Sequence, residues 1–428
     1  MVNGSRRRFL GLSAASMAGV AGCFRSNAES SGTTGTAATG SAPADRCGDA
    51  AFDGDDPLAV EFDARRRFGC RGELLDGFED LSVWETYAGR LDAAEGSAYA
   101  GSQSARLTAA PDDGRAWIYR KFDSPLDLSD RDLSLAVRLE APESESVVVQ
   151  LLAPDRENQI VLSKGVWRAG WMRVDLGPSA VRGDPDLSDV RELRIQLPVG
   201  EGDEGRLLVD AVRTTPKPDR GAVMLTFDDN HRTQYETAFP VMDRYGIPGT
   251  VGVIHRAVDY DATMSVDEMR ELRDAGWDMA SHPQLDRSFR QLSPGEGRTA
   301  FRESKRWLVD EGFEDGARFL VWPFGKYDAD AVSAAARYHY LGFAGGGSPA
   351  GARVTEPLVV GRVTGDDPER TAAMIDLAER YNLLTVVRCH TVGVDDDKYV
   401  STEGFERIVE HLDAADVNAV TPSDLWDG

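Results

Sequence analysis

The hydrophobic pattern changes period once along the chain. From about residue 72 to 215, apolar and polar positions alternate in short runs: "ARLTAA", "WIYRKF", "LSLAVRL", "SVVVQLLA", "MRVDLG", "LRIQL" and "RLLVDAVR". Turn-rich stretches separate them. A period of two turns one face of a strand inward and the other outward, so this region predicts an all-β sandwich. From residue 220 the pattern alternates between solid apolar runs and segments at helical spacing. "AVMLTF" precedes "YETAFPVMDRYG", "GTVGVI" precedes "SVDEMRELRDAG", and "RFLVWP" precedes "DADAVSAAARYH". "PLVVGRV" precedes "PERTAAMIDLAERY", and "LLTVVRCH" precedes "STEGFERIVEHLDAAD". With "WDMAS", "YLGFA" and "NAVTP" as further strands, the spacing predicts a deformed (β/α)7–8 barrel over 220–428. The expected fold class is therefore multidomain, an all-β sandwich followed by an α/β barrel.

The segments ahead of the sandwich cannot bury a core. "SRRRFL" at 5–10 carries paired arginines, and "LGLSAASMAGVAG" follows as an apolar run too short for an ordinary membrane span. The run ends in "VAGC". Together these resemble a twin-arginine export signal ending in a lipobox over 1–23. That resemblance implies a lipid anchor on Cys23 and a location at the outer face of the cell membrane. Residues 24–71 are rich in Ser, Gly and Thr and then acidic, the composition of a flexible tether.

Charge sharpens this picture. The net charge is -24, and only six of the 48 basic residues are lysine. A dense carboxylate surface with little lysine is what a protein exposed to high salt requires, because salt screens its self-repulsion. It argues against nucleic acid as a partner, which needs a basic face. Of the four cysteines, Cys47 and Cys70 are either free or bridged, an option open outside the cell. Cys389 lies in an apolar run and reads as a buried thiol. No CxxC pair is present, so a thiolate zinc site is not expected.

Chemistry in a β/α barrel gathers at the C-terminal ends of the strands. The polar residues there form a short list. The first strand ends in Asp228 and Asp229, the third in His282, a later one reaches Arg362, and another ends in His390. "WPFG" places Phe324 after Pro323 at a further strand end. His231 and His255 follow the first two strands. "AGGGSPAGA" at 344–352 lacks the spacing of a phosphate loop and reads as a flexible loop lining the mouth.

In this order, "TFDD", "GWDMASH", "FLVWPFGKYD" and "VVRCHTVG" resemble the motifs of the NodB-homology polysaccharide deacetylases, nearest the branch acting on poly-N-acetylglucosamine. The resemblance covers about 221–425. It implies that Asp228 is the general base, Asp229 and His282 are ligands of a divalent metal, usually zinc, and His390 is the catalytic acid. It also implies that the backbone of Phe324 helps hold the oxyanion and that the substrate is an N-acetylated polysaccharide. Two positions depart from the pattern. The second histidine ligand is replaced by Asp286, which is either a ligand or a helix cap, and His231 or His255 could stand in for it. The arginine two residues before the proline of "WPFG" is Val321, so Arg362 is the candidate to orient the base. Asp366 and Asp367 are expected to orient His390.

The opening "GFEDLSVWE", "GSQSARLT", a late "GW" and "LLVDAVR" resemble the jelly-roll sandwiches appended to secreted carbohydrate-active enzymes. Trp84, Trp117, Trp167 and Trp171 are candidates for sugar stacking or for the sandwich core. The competing functional class is a non-catalytic glycan-binding surface lipoprotein with a degenerate barrel.

Overall fold

The computed structural model describes residues 56–60, 71–200, 202–283, 287–394 and 399–427. The stretches expected to be an export signal and most of a tether, together with Cys23, Cys47, Cys70 and Asp286, lie outside the described residues.

The alternating region forms two six-stranded antiparallel sheets. Its strands are β1 (Glu73–Asp76), β2 (Glu85–Ala88), β3 (Arg90–Glu95), β4 (Gln103–Ala109), β5 (Arg115–Leu126) and β6 (Arg131–Ala141). They continue as β7 (Ser144–Leu152), β8 (Gln159–Trp167), β9 (Met172–Asp175), β10 (Gly177–Arg182), β11 (Val190–Pro198) and β12 (Gly205–Pro216). One sheet runs β3-β4-β12-β6-β9 with β1 on β12, and the other runs β10-β8-β7-β11-β5-β2. The period of two does the sorting. In β11, Leu193, Ile195 and Leu197 are buried against Leu107, Leu135 and Val149 from other strands. Burial of each such side chain stabilises by roughly 1.5–3 kcal/mol.

The second region closes on itself. Seven parallel strands form the ring: β13 (Gly221–Phe227), β14 (Thr250–Val253), β15 (Asp278–Ser281), β16 (Phe319–Val321), β17 (Leu341–Gly345), β19 (Val360–Thr364) and β20 (Leu383–Cys389). β20 pairs back onto β13, Val387 opposite Leu225. β18 (Ala350–Gly351) lies antiparallel to β20, and β21 (Val417–Ala419) adds to β13 outside the ring.

These strands read as solid apolar runs because both faces are covered. Met224, Ala280, Phe319, Val321, Phe343, Val360 and Val386 form one cluster, the filled lumen. Their neighbours point outward beneath the helices. Phe227 stacks on Trp277 at 5.3 Å and meets Phe405 edge-on at 5.9 Å. The helices start where side chains accept orphan backbone N–H groups. Ser265 and Ser293 build capping boxes, and Asp328, Asp367 and Ser401 cap three more helices.

The sheets and the barrel meet through buried polar contacts. The Asp175 carboxylate accepts from the Thr355 N–H at 2.9 Å and the Thr355 hydroxyl at 2.6 Å. Lys217, just after β12, pairs with Asp132 at 2.8 Å and donates to the Tyr381 carbonyl of the barrel at 2.6 Å. Lys164 Nζ donates to the Val359 carbonyl at 3.1 Å. The glycine-rich stretch at 344–352 is not a free loop at the mouth. It lies against the sandwich, with Gly346 on Gly165 and the Pro349 carbonyl so near Gly177 that a Cβ there would sit 2.2 Å from it. Glycine is needed at 177 for that close approach.

Candidate active site

Counting by twos from the lumen residues locates the site. Met224 leads to Thr226 and Asp228, Ala280 to His282, and Val360 to Arg362. All three positions lie on the lumen face at or just past the C-terminal strand ends, and all are buried, with Asp228 only 4% exposed. Arg362 grips Asp228 with both arms, Nη1 to Oδ1 at 2.6 Å and Nη2 to Oδ2 at 3.0 Å. Nη1 also reaches the Thr226 hydroxyl at 3.3 Å. This fork geometry suits a carboxylate and fixes its orientation. Burial pushes the Asp228 carboxyl up, but Arg362, His282 and His390 outweigh it, and the group stays ionised below the usual range. His390 Nε2 lies 3.9 Å from Asp228 Oδ2. Burial pulls the His390 imidazole down despite its acidic neighbours, so its neutral form dominates near pH 7.

Asp229 would point away from the lumen if the strand continued. The backbone turns instead into the left-handed region, φ 70° at Asp229 and 40° at Asn230. Such values are uncommon outside glycine, though Asp and Asn tolerate them best. The turn is pinned on both sides. Asn230 Oδ1 accepts from the Ile254 N–H at 2.9 Å, and its carbonyl accepts from the Met264 N–H at 2.9 Å. The strand ahead of it is held by Asp228 N–H donating to the Cys389 carbonyl at 2.9 Å. Asp229 therefore swings beside Asp228 with separate partners. Its Oδ1 lies 3.3 Å from His282 Nε2, and its Oδ2 lies 3.7 Å from His231 Nε2. Burial opposes ionisation of Asp229, but the two imidazoles hold its carboxyl far below the usual range.

Among the described residues, no three or more His, Cys, Asp or Glu side chains converge closely enough to hold a metal ion by themselves. The pair Asp229 and His282 nevertheless has the donor chemistry for a divalent cation. His282 Nδ1 lies 2.8 Å from the Val321 carbonyl. A carbonyl only accepts, so Nδ1 carries the hydrogen and Nε2 faces the Asp229 carboxylate. Two acceptors facing each other at 3.3 Å need a proton or a cation between them. A ligating histidine tied to a carbonyl through its other nitrogen is the usual arrangement in metal sites. Without a metal, a proton takes that place: burial lowers the basicity of His282, Asp229 and Asp228 raise it further, and the net shift is upward.

The remaining candidates divide. Phe324 sits in the turn just after β16 in a left-handed conformation, φ 60°, and the residue is 68% exposed. It borders a cleft of about 520 Å³ that Arg287, Arg290, Gln291, Lys326 and Glu143 also line. His255 lines a separate cavity of about 600 Å³ and packs near Trp307, with no ion pair to Asp229. Asp366 and Asp367 do not orient His390. Asp366 takes the Thr364 hydroxyl at 2.6 Å, and Asp367 caps the helix Pro368–Tyr381. Local backbone and hydroxyl donors claimed both acids.

The sequence reading missed Gln234. Its Nε2 donates to the Asp228 carbonyl at 2.7 Å and the His390 carbonyl at 2.9 Å, tying two strand ends together. A signal was present. Gln234, Ala238, Val241 and Met242 are buried at i, i+4, i+7 and i+8, so a polar residue occupied an apolar slot.

Residues 215–343 match the family model described as polysaccharide deacetylase. The chain is similar to the Bacillus subtilis (strain 168) protein "Putative polysaccharide deacetylase YxkH", 27% identical over 124 residues, or 29% of this chain and 44% of that relative. The chain thus spans less than half the length of that relative. Two solved structures are also similar at low identity. One is the Xyl-CE4 domain of a multidomain xylanase from the hindgut metagenome of Trinervitermes trinervoides. It is 15% identical, covers 49% of this chain and 91% of its own, and has a TM-score of 0.37. The other is a family 4 carbohydrate esterase from Streptomyces lividans in complex with acetate, 17% identical, covering 45% and 88%, with a TM-score of 0.33.

Proposed function

We propose that this chain, whose barrel carries a polysaccharide deacetylase domain, hydrolyses N-acetyl groups on a cell-surface or extracellular polysaccharide. Acetate and a free amino sugar are the products. The observation that carries this reading is the turn at Asp229 and Asn230. It sets two adjacent carboxylates side by side with different partners, Arg362 and His390 for Asp228, and His282 and His231 for Asp229.

Asp229 and His282 would hold a divalent cation, with His231 nearest to complete the set. When bound, such a cation supplies Lewis-acid polarisation of the water and the amide carbonyl. The chain's own groups do the rest. Arg362 holds Asp228 ionised and aimed into the mouth, where its carboxylate takes a proton from the attacking water. The water oxygen bonds to the carbonyl carbon, and the backbone after Pro323, at Phe324, is the candidate donor to the oxyanion. The carbon–nitrogen bond then breaks, and His390 delivers a proton to the leaving nitrogen. The 3.9 Å gap between Asp228 and His390 gives the proton that Asp228 collected a short path to the imidazole.

The paired arginines, the lipobox and the polar tether support export and anchoring through Cys23. The acidic, lysine-poor surface supports work in high salt.

The test is acetate release from N-acetylglucosamine oligomers by the mature chain in high salt, before and after chelation and return of zinc or manganese. Release that needs metal and vanishes in Asp228→Asn is the expected result. No release with any metal, together with no metal in the purified protein, would leave the glycan-binding lipoprotein as the better reading.

A further inference from the structure

The outer face of the second sandwich sheet carries a patch that the barrel chemistry does not use. Tyr87 on β2 is 61% exposed, and its ring centroid lies 4.3 Å from that of Trp117 on β5. In β5, Ala116 and Ile118 enter the core, so Trp117 and Tyr119 face the other way. In β11, Leu193, Ile195 and Leu197 enter the core, so Arg194 and Gln196 share that outer face. Strand register sets Gln196 opposite Trp117 and Arg194 opposite Tyr119. Of the tryptophans that could have stacked on sugar, Trp84 is core, packed on Phe78 and bonded to Asp76.

Among the described residues, two donors on this face have no acceptor. Trp117 Nε1 and Gln196 Nε2 are both buried and unpartnered, and Gln196 is only 9% exposed. A buried N–H without a partner is costly, so each position favours an incoming acceptor. Beside them lies an exposed aromatic ring. A sugar offers both complements, a C–H face for the ring and hydroxyl oxygens for the donors. Charge narrows the class. Arg194 lies over the Trp117 ring at 5.1 Å and pairs with Glu192, and Tyr119 donates to Glu85 at 2.6 Å. Arg115 and Lys121 also lie over the Trp117 and Tyr119 rings, at 5.8 and 5.3 Å; three cations against two acids leave little net charge on the patch, which fits a neutral glycan better than a polyanion.

We infer that this face binds a neutral polysaccharide chain, with Tyr87 as the stacking ring and Trp117 and Gln196 as donors to its hydroxyls. The assignment of that polymer as the one the barrel deacetylates rests on the function proposed above; the binding itself does not.

Affinity electrophoresis of the mature full chain tests it, in gels containing glycol chitin, hydroxyethylcellulose or heparin. Acetate release from di-N-acetylchitobiose is measured in parallel. One or both neutral polymers retard the wild type and heparin does not. Tyr87→Ala, an exposed position with little folding cost, weakens the neutral-polymer affinity about tenfold and leaves release from the disaccharide unchanged. Gln196→Leu weakens binding too, with a melting temperature no lower than wild type, because it deletes an unpaired donor. Equal retardation of Tyr87→Ala and wild type overturns the inference, as does retardation of the wild type by neither neutral polymer. Retardation without any acetate release would sink the barrel chemistry and leave this site standing.

Discussion

Arg362 determines the state of Asp228. The carboxylate is buried and would favour its neutral form if left alone. The guanidinium supplies the countercharge from across the lumen, with two hydrogen bonds at 2.6 and 3.0 Å. Pairs of this kind add little net stability relative to apolar residues, but removing one partner strands the other charge. Arg362→Met should therefore destabilise the fold by about 3–5 kcal/mol in urea denaturation. The double variant Asp228→Asn with Arg362→Met should cost less than the two single changes combined, since neither charge is then left unpaired. Loss of Arg362 should also raise the carboxyl pKa. The acidic limb of the rate profile would then move to higher pH, with activity down by about two orders of magnitude from the lost positioning. A single variant as stable as wild type would contradict this role.

The turn 228–231 works as one element, and it shows what a sequence does and does not reveal. Strand-end logic placed Asp228, His282, Arg362 and His390 at one mouth, because period two is a local rule applied to every strand. Arg362 was legible as the residue to orient the base, but the two-armed geometry was not, since Asp228 and Arg362 stand 134 residues apart and only the ring closure joins them. Gln234 was missed although helical spacing put it in line with Ala238, Val241 and Met242, because a single polar residue in an apolar slot does not say which strand ends it will tie. Asp366 and Asp367 were misassigned because capping and hydroxyl contacts compete with any longer reach. The same turn brings His231 back over Asp229, its Nε2 3.7 Å from Oδ2, and pairs it with Thr263 in a short antiparallel bridge. If His231 completes the donor set, His231→Ala should lower zinc affinity by more than the roughly 10–100-fold that loss of an outer-shell partner costs, read by calorimetric titration, and zinc per chain should fall on dialysis. Asp286→Ala should then leave both values near wild type. The reverse pattern would assign the missing ligand to Asp286 and return His231 to a structural part.

At the scale of the whole molecule, charge is asymmetric between surface and interior. The surface is strongly acidic, with a net charge of -24, while one of the six lysines, Lys164, is buried where the sandwich meets the barrel. Among the described residues its Nζ has one partner within hydrogen-bond reach, the Val359 carbonyl at 3.1 Å. Burial pulls its pKa down from 10.5 to about 8, against the attraction of Asp175 and Glu356. The sign of the linkage follows. Between pH 8 and 10.5 the unfolded chain keeps a proton that the folded chain has lost, so stability rises with pH across that window. The contribution is fully present above the unfolded value and is lost as pH falls through about 8. Its size is roughly 3 kcal/mol at most, from a shift worth about 1.4 kcal/mol per unit. Lys305, also lowered to about 8 by burial, acts in the same direction. Lys164→Met should therefore flatten part of the rise in urea midpoint between pH 7.5 and 10, and Lys305→Met should flatten the rest. Lys164→Met should also raise stability at pH 7, because the methionine needs no countercharge at the junction. A rise in midpoint that survives both substitutions unchanged would show that neither buried ammonium governs the alkaline stability of the fold.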